Sequence, residues 1–167
     1  MDTASLQQFL EFSRKKTLDL LDKIAEQKES AATLGWRPGP GRAHIAWQLM
    51  HLAATDDRHL NVRMKGGAAR EPGLVQRFAG GSVPDDDVPP AAEIRRYLTE
   101  RRSDLLAHLR TLSDADLAVK PNAEAPWVYQ EWFQVLAWHE AHHQGQAHLT
   151  YNLYRAAHQP ALPKVGH

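Results

Sequence analysis

From about Tyr129 to Ala157 the chain carries no proline and a single glycine, Gly145, and it presents Trp132, Val135, Leu136, His139, His143 and Gln146 at three- and four-residue spacing. That period puts them on one side of a long α-helix. The same period recurs upstream. Leu6, Phe9, Leu10, Leu20, Leu21 and Ile24 mark an amphipathic helix from Ser5 to about Gln27. A second runs from roughly His44 to Met64, and a third opens at Ala91 after Pro89-Pro90 and carries Ile94, Tyr97, Leu98, Leu105 and Leu109 to about Leu112. Nothing alternates as a half-buried strand does, so the expected class is all-α.

The breaks between these helices shape the expectation further. Gly35 to Gly41, with Pro38 and Pro40, stops one helix and prepares the next, and Ser113-Asp114 caps a short turn. Lys65 to Pro90 is rich in glycine and proline and contains the acidic run Asp85-Asp86-Asp87. It reads as a long surface loop with at most one short turn around Leu74 to Phe78, and a loop of that length in a compact domain is often functional. With 167 residues and no internal repeat or linker, residues 1–167 form one domain long enough to bury a core. A four-helix bundle with one long crossover follows.

Charge and composition remove several function classes. Twenty basic residues balance twenty acidic ones, leaving no positive field to hold nucleic acid or an anionic membrane. No 18 apolar residues stand together and the first residues do not form a leader, so the expected location is cytoplasmic. The absence of cysteine excludes disulfides, thiolate ligands and a thiol nucleophile borne by the protein. Any thiol chemistry must arrive with a substrate.

Ten histidines stand out, most of them gathered between His44 and His59 and between His139 and His148. His139 and His143, four apart on a helix, stack one above the other as two ligands of one ion require. The phrase His139-Glu140-Ala141-His142-His143 also satisfies the HExxH signature of zinc proteases, with Glu140 as general base. The continuation argues against that reading: Gly145 and His148 fall one place too early for the metzincin pattern, and Gln144 to His167 holds no acid that could serve as a downstream ligand. A third ligand must come from upstream. His51, centred on the apolar face of Ile45 to Leu52, faces the long helix across the core, although a satisfied core imidazole is the competing reading. His44 lies two turns from His51 and reads as a helix-start residue, with ligation as the alternative. His142 and His148 point elsewhere, as surface groups or supports to the ligands, and His59, His108, His158 and His167 read as solvated.

Ile45-Ala46-Trp47-Gln48-Leu49-Met50-His51-Leu52, together with Trp127, Glu131-Trp132 and the closing phrase His139-Glu140-Ala141-His142-His143-Gln144-Gly145-Gln146, resembles the DinB/YfiT-like family of metal-dependent four-helix proteins over nearly the whole chain. The resemblance implies an up-down-down-up bundle with its crossover between helices two and three, where Lys65 to Pro90 stands here. It implies a metal triad on His51, His139 and His143, commonly zinc or nickel, and a homodimer. His44 departs from the family, which usually has Ser or Thr at the start of helix two.

Three imidazoles leave coordination positions open, as catalytic sites do, and lower the pKa of a bound water or thiol. Family members so described include transferases that join low-molecular-weight thiols such as bacillithiol or mycothiol to electrophiles, a maleylpyruvate isomerase, and hydrolases. The leading expectation is a thiol transferase; the alternatives are a metal-dependent hydrolase, with Glu140 or His142 carrying protons, and a non-catalytic stress-related metal-binding module. Helical spacing adds Trp47, Arg58, Trp138 and Gln146 near the site. Core packing competes with substrate contact for the two tryptophans, and an ion pair with a loop acid competes with a substrate carboxylate for Arg58.

Overall fold

A computed structural model describes residues 1–158. Four long helices make the body: α1 (Thr3–Ala25), α3 (Ile45–Asp57), α5 (Ala91–Leu109) and α6 (Tyr129–His158), with two short helices, α2 (Ser30–Gly35) and α4 (Pro72–Arg77), in the connections. No strand occurs among the described residues. The long helices form a ring in which α3 packs against α5 and α6, and α1 packs against the same two helices.

The apolar side chains sort into two layers. One gathers Leu20, Leu21 and Ile24 of α1, Ile45 to Ala54 of α3, Ile94 and Leu98 of α5, and Ala147 and Tyr151 of α6. The other gathers Leu6 and Leu10 of α1, Leu60 and Met64, Leu105 to Leu109 of α5, and Trp132, Phe133 and Leu136 of α6. Along the core, then, α1 and α6 run from the second layer to the first, while α3 and α5 run the other way.

Between the layers sits a buried ionic quartet to which each long helix contributes one side chain. Arg14 of α1 donates to Asp56 (3.0 Å) and Glu140 (2.6 Å), and Arg102 of α5 donates to Asp56 (3.0 Å) and also to Glu140. All four are at most 4% exposed. Two cations and two anions so placed satisfy one another, which is the condition for burying charge without an uncompensated desolvation cost.

Helix starts and ends follow local chemistry. Asp2 caps α1 by accepting from the Ser5 N–H. His44 caps α3 in the same way, its Nδ1 accepting from the Trp47 N–H (3.0 Å), so a histidine does here what Ser or Thr does elsewhere. Beyond Asp57 the helix widens into a π-helical stretch, Arg58–Met64, marked by the Lys65 N–H reaching the Leu60 carbonyl five residues back. The crossover expected as a loop holds α4, which starts two residues before the turn anticipated at Leu74 to Phe78 and ends one residue before its close. α2 lies between the expected end of the first helix near Gln27 and the loop expected from Gly35, and was not expected.

Candidate metal centre

His51 of α3 and His139 and His143 of α6 converge: one ring nitrogen from each lies within 4.8 Å of the other two. The Nε2 atoms of His51 and His139 are 3.1 Å apart. Two nitrogens bound to one zinc at about 2.0–2.1 Å stand a little over 3 Å apart in tetrahedral geometry, so that separation suits a shared cation. His51 also has the support a ligand needs. Its Nδ1 lies 2.6 Å from the Phe78 carbonyl, which can only accept, so Nδ1 carries the hydrogen and Nε2 is left with its lone pair. Trp47 stacks on the same ring, centroids 5.0 Å apart and planes 6° from parallel. His143 leaves Nδ1 buried with no protein partner. The donor set therefore fits a divalent ion of the zinc type.

Electrostatics point the same way. Burial first, then the neighbouring imidazoles, pushes His139 down to about 4 and His143 to about 3, and burial lowers His51 as well. All three rings are neutral at pH 7, the state in which imidazole binds metal.

The crossover supplies one wall. Phe78, which ends α4, is buried, and its carbonyl orients His51. The following turn is closed by the Ser82 N–H on the Ala79 carbonyl and needs Gly81 at φ 88°, a conformation glycine adopts without strain. A cavity of about 240 Å³ opens here, lined by His51, Ala54, Thr55, Arg58, His59, Val75, Phe78, Ala79, Gly80 and His139. A larger groove of about 460 Å³ between α1 and α5 touches none of the three imidazoles.

The remaining expected residues divide. Trp47 is 9% exposed and Arg58 lines the cavity, so both stand at the site. Arg58 makes no ion pair among the described residues, contrary to the alternative that a loop acid engages it. Trp138 is 63% exposed, which corrects its core-packing reading; it stacks on His142, whose Nε2 lies 2.9 Å from the Gln146 amide nitrogen. These three share an exposed face of α6 and do not line the cavity. Glu140 is not available to carry a proton: it is fully buried and spent on Arg14 and Arg102. Burial raises its pKa, but the two guanidinium charges outweigh that and hold it below the ordinary range.

His44 is no ligand, since Nδ1 caps α3 and Nε2 lies 3.0 Å from the Asp85 carbonyl. His59 is the site residue the sequence reading missed. It is half-buried rather than solvated, packs edge-on to Trp132, and lines the cavity with His51 and His139. Its Nδ1 faces the Thr55 carbonyl at 2.8 Å, so that nitrogen is protonated and Nε2 is a free base. His108 is partly buried too, and His167 lies outside the described residues.

Residues 10–147 match the family model of the DinB superfamily. No curated protein matches the chain. Among the described residues no helix is long and apolar enough to cross a membrane.

Proposed function

The chain belongs to the DinB superfamily, and from that premise we propose that it is a metal-dependent transferase joining a low-molecular-weight thiol, of the bacillithiol or mycothiol type, to an electrophile. The observation that carries this reading is the convergence of three neutral imidazoles on one point beside a small cavity, in a chain without cysteine. Zinc or nickel held there supplies Lewis acidity that makes a thiol easier to deprotonate and leaves positions open for a reactant.

The chain's own residues do the rest. The Phe78 carbonyl and the Trp47 ring fix His51 in rotation and tautomer. Phe78, Val75 and Ala79 wall the cavity with apolar surface, which favours an electrophile with an apolar body. His59, with Nδ1 tied to Thr55, presents Nε2 as the acceptor for the thiol proton. Burial lowers the His59 pKa, which keeps that nitrogen unprotonated near neutrality.

The test is conjugation of 1-chloro-2,4-dinitrobenzene to a panel of small thiols. Turnover that needs both the thiol and the metal, and that is lost in His143→Ala, supports the reading. Turnover of ester or amide substrates without any thiol supports hydrolysis instead, and conjugation that survives metal removal rejects the transferase reading.

A further inference from the structure

The cavity beside the imidazoles is electrostatically one-sided. Its polar lining consists of Thr55, Arg58, His51, His59 and His139, and none of its lining residues is Asp or Glu. The acids nearest in sequence are all committed elsewhere. Asp56 and Glu140 accept from Arg14 and Arg102. Asp57 accepts from the Asn61 side chain and from the backbone N–H groups of Arg70 and Glu71. In the crossover, Asp85 and Asp87 pair with Arg77, and Asp86 pairs with Arg37. Arg58 is therefore left with a full charge and no carboxylate among the described residues, at the edge of a cavity whose other walls are Ala54, Val75, Phe78 and Ala79.

We infer that Arg58 selects the reactant: the electrophile accepted here is a small molecule with one carboxylate on an apolar body. A guanidinium offers a planar fork that matches a carboxylate in two parallel hydrogen bonds. One cation calls for one negative charge, because His59, the other ionisable group beyond the candidate ligands, faces the cavity as a neutral ring. About 240 Å³ of space admits a body the size of a single substituted ring, held against Phe78 and Val75 while its far end reaches the imidazoles. This rests on the reading of the cavity as the reactant's site; it adds the charge and the residue that recognises it.

The probe pair is benzoate and benzamide, equal in shape and different in charge, titrated calorimetrically into the zinc-loaded chain and into the zinc-free chain. Arg58 is exposed, so Arg58→Met and Arg58→Lys are expected to fold and to hold the same zinc by elemental analysis. Benzoate is expected to bind wild type at least about tenfold more tightly than benzamide, a factor well within a charge-assisted hydrogen bond. Arg58→Met should bring the two affinities together, and Arg58→Lys should restore part of the difference. No preference in wild type overturns the inference, as does a preference that Arg58→Met leaves intact, since the ion alone would then be taking the carboxylate. A chain that binds no zinc but still discriminates through Arg58 would reject the metal reading and leave the charge selection standing.

Discussion

The His51 ring is held by the Phe78 carbonyl and the Trp47 face, and freedom removed from a ligand before binding does not have to be removed during it. Replacing His51, His139 or His143 by Ala one at a time is expected to abolish stoichiometric zinc in a chelator-competition titration, while His142→Ala, on the exposed face, retains it. For the metal-free chain the depressed histidines set a pH dependence. Their folded pKa values lie below the unfolded value near 6.5, so the unfolded chain takes up more protons as pH falls. Stability should be flat above about pH 7 and fall between about 6.5 and 3, measured as the urea midpoint across that range. The triad was legible because helical spacing alone places His139 above His143 and centres His51 on an apolar face. His59 was not: it follows His51 by eight residues, and the π-helical winding that begins at Arg58 departs from the α period used to judge which residues share a face. Glu140 misled for the opposite reason, since a motif match shows spacing and cannot show which way the helix is rotated.

At the level of elements, α3 owes its start to a side chain that is rarely a cap. His44 ties the Trp47 N–H with one nitrogen and the crossover's Asp85 carbonyl with the other, so it joins helix and loop. His44→Ala is expected to cost about 1–2 kcal/mol, the range of a lost N-cap, with zinc content unchanged, and thermal unfolding followed by circular dichroism reads both variants. His44→Asn should recover most of the loss, because a short side-chain oxygen can cap but cannot span to Asp85. The start of α3 and the limits of α5 and α6 were legible to within a few residues from period, proline and glycine. The short α2 and the π-helical stretch were not, since one turn of helix has no period to detect and π-winding depends on the packing of Leu60 and Met64 in the core.

For the molecule as a whole, the ionic quartet takes one residue each from α3 and α6, the two helices that carry the imidazoles, and both groups act on one variable, the rotation of α6 against α3. Glu140 and His139 are successive residues, so the ion pairs that aim Glu140 inward at Arg14 and Arg102 also set the direction of His139. No periodicity could show this, because Arg14 and Arg102 read as solvated charges on amphipathic helices until their partners across the bundle are known. Glu140→Gln leaves two buried guanidinium groups facing one carboxylate and is expected to destabilise the fold by about 3–5 kcal/mol. The more telling quantity is the coupling to metal. A ligand bound only by the folded state stabilises it by about 4 kcal/mol at a thousandfold excess over its dissociation constant, or roughly 8–16 °C in a domain of this size. Wild type and His44→Ala should show that zinc-induced rise in full by scanning calorimetry, since the cap does not orient α6. Glu140→Gln should show a smaller one even at saturating zinc, because part of the binding energy then goes into turning α6 back. An equal rise in all three proteins would mean that the quartet holds the bundle together without aiming the site.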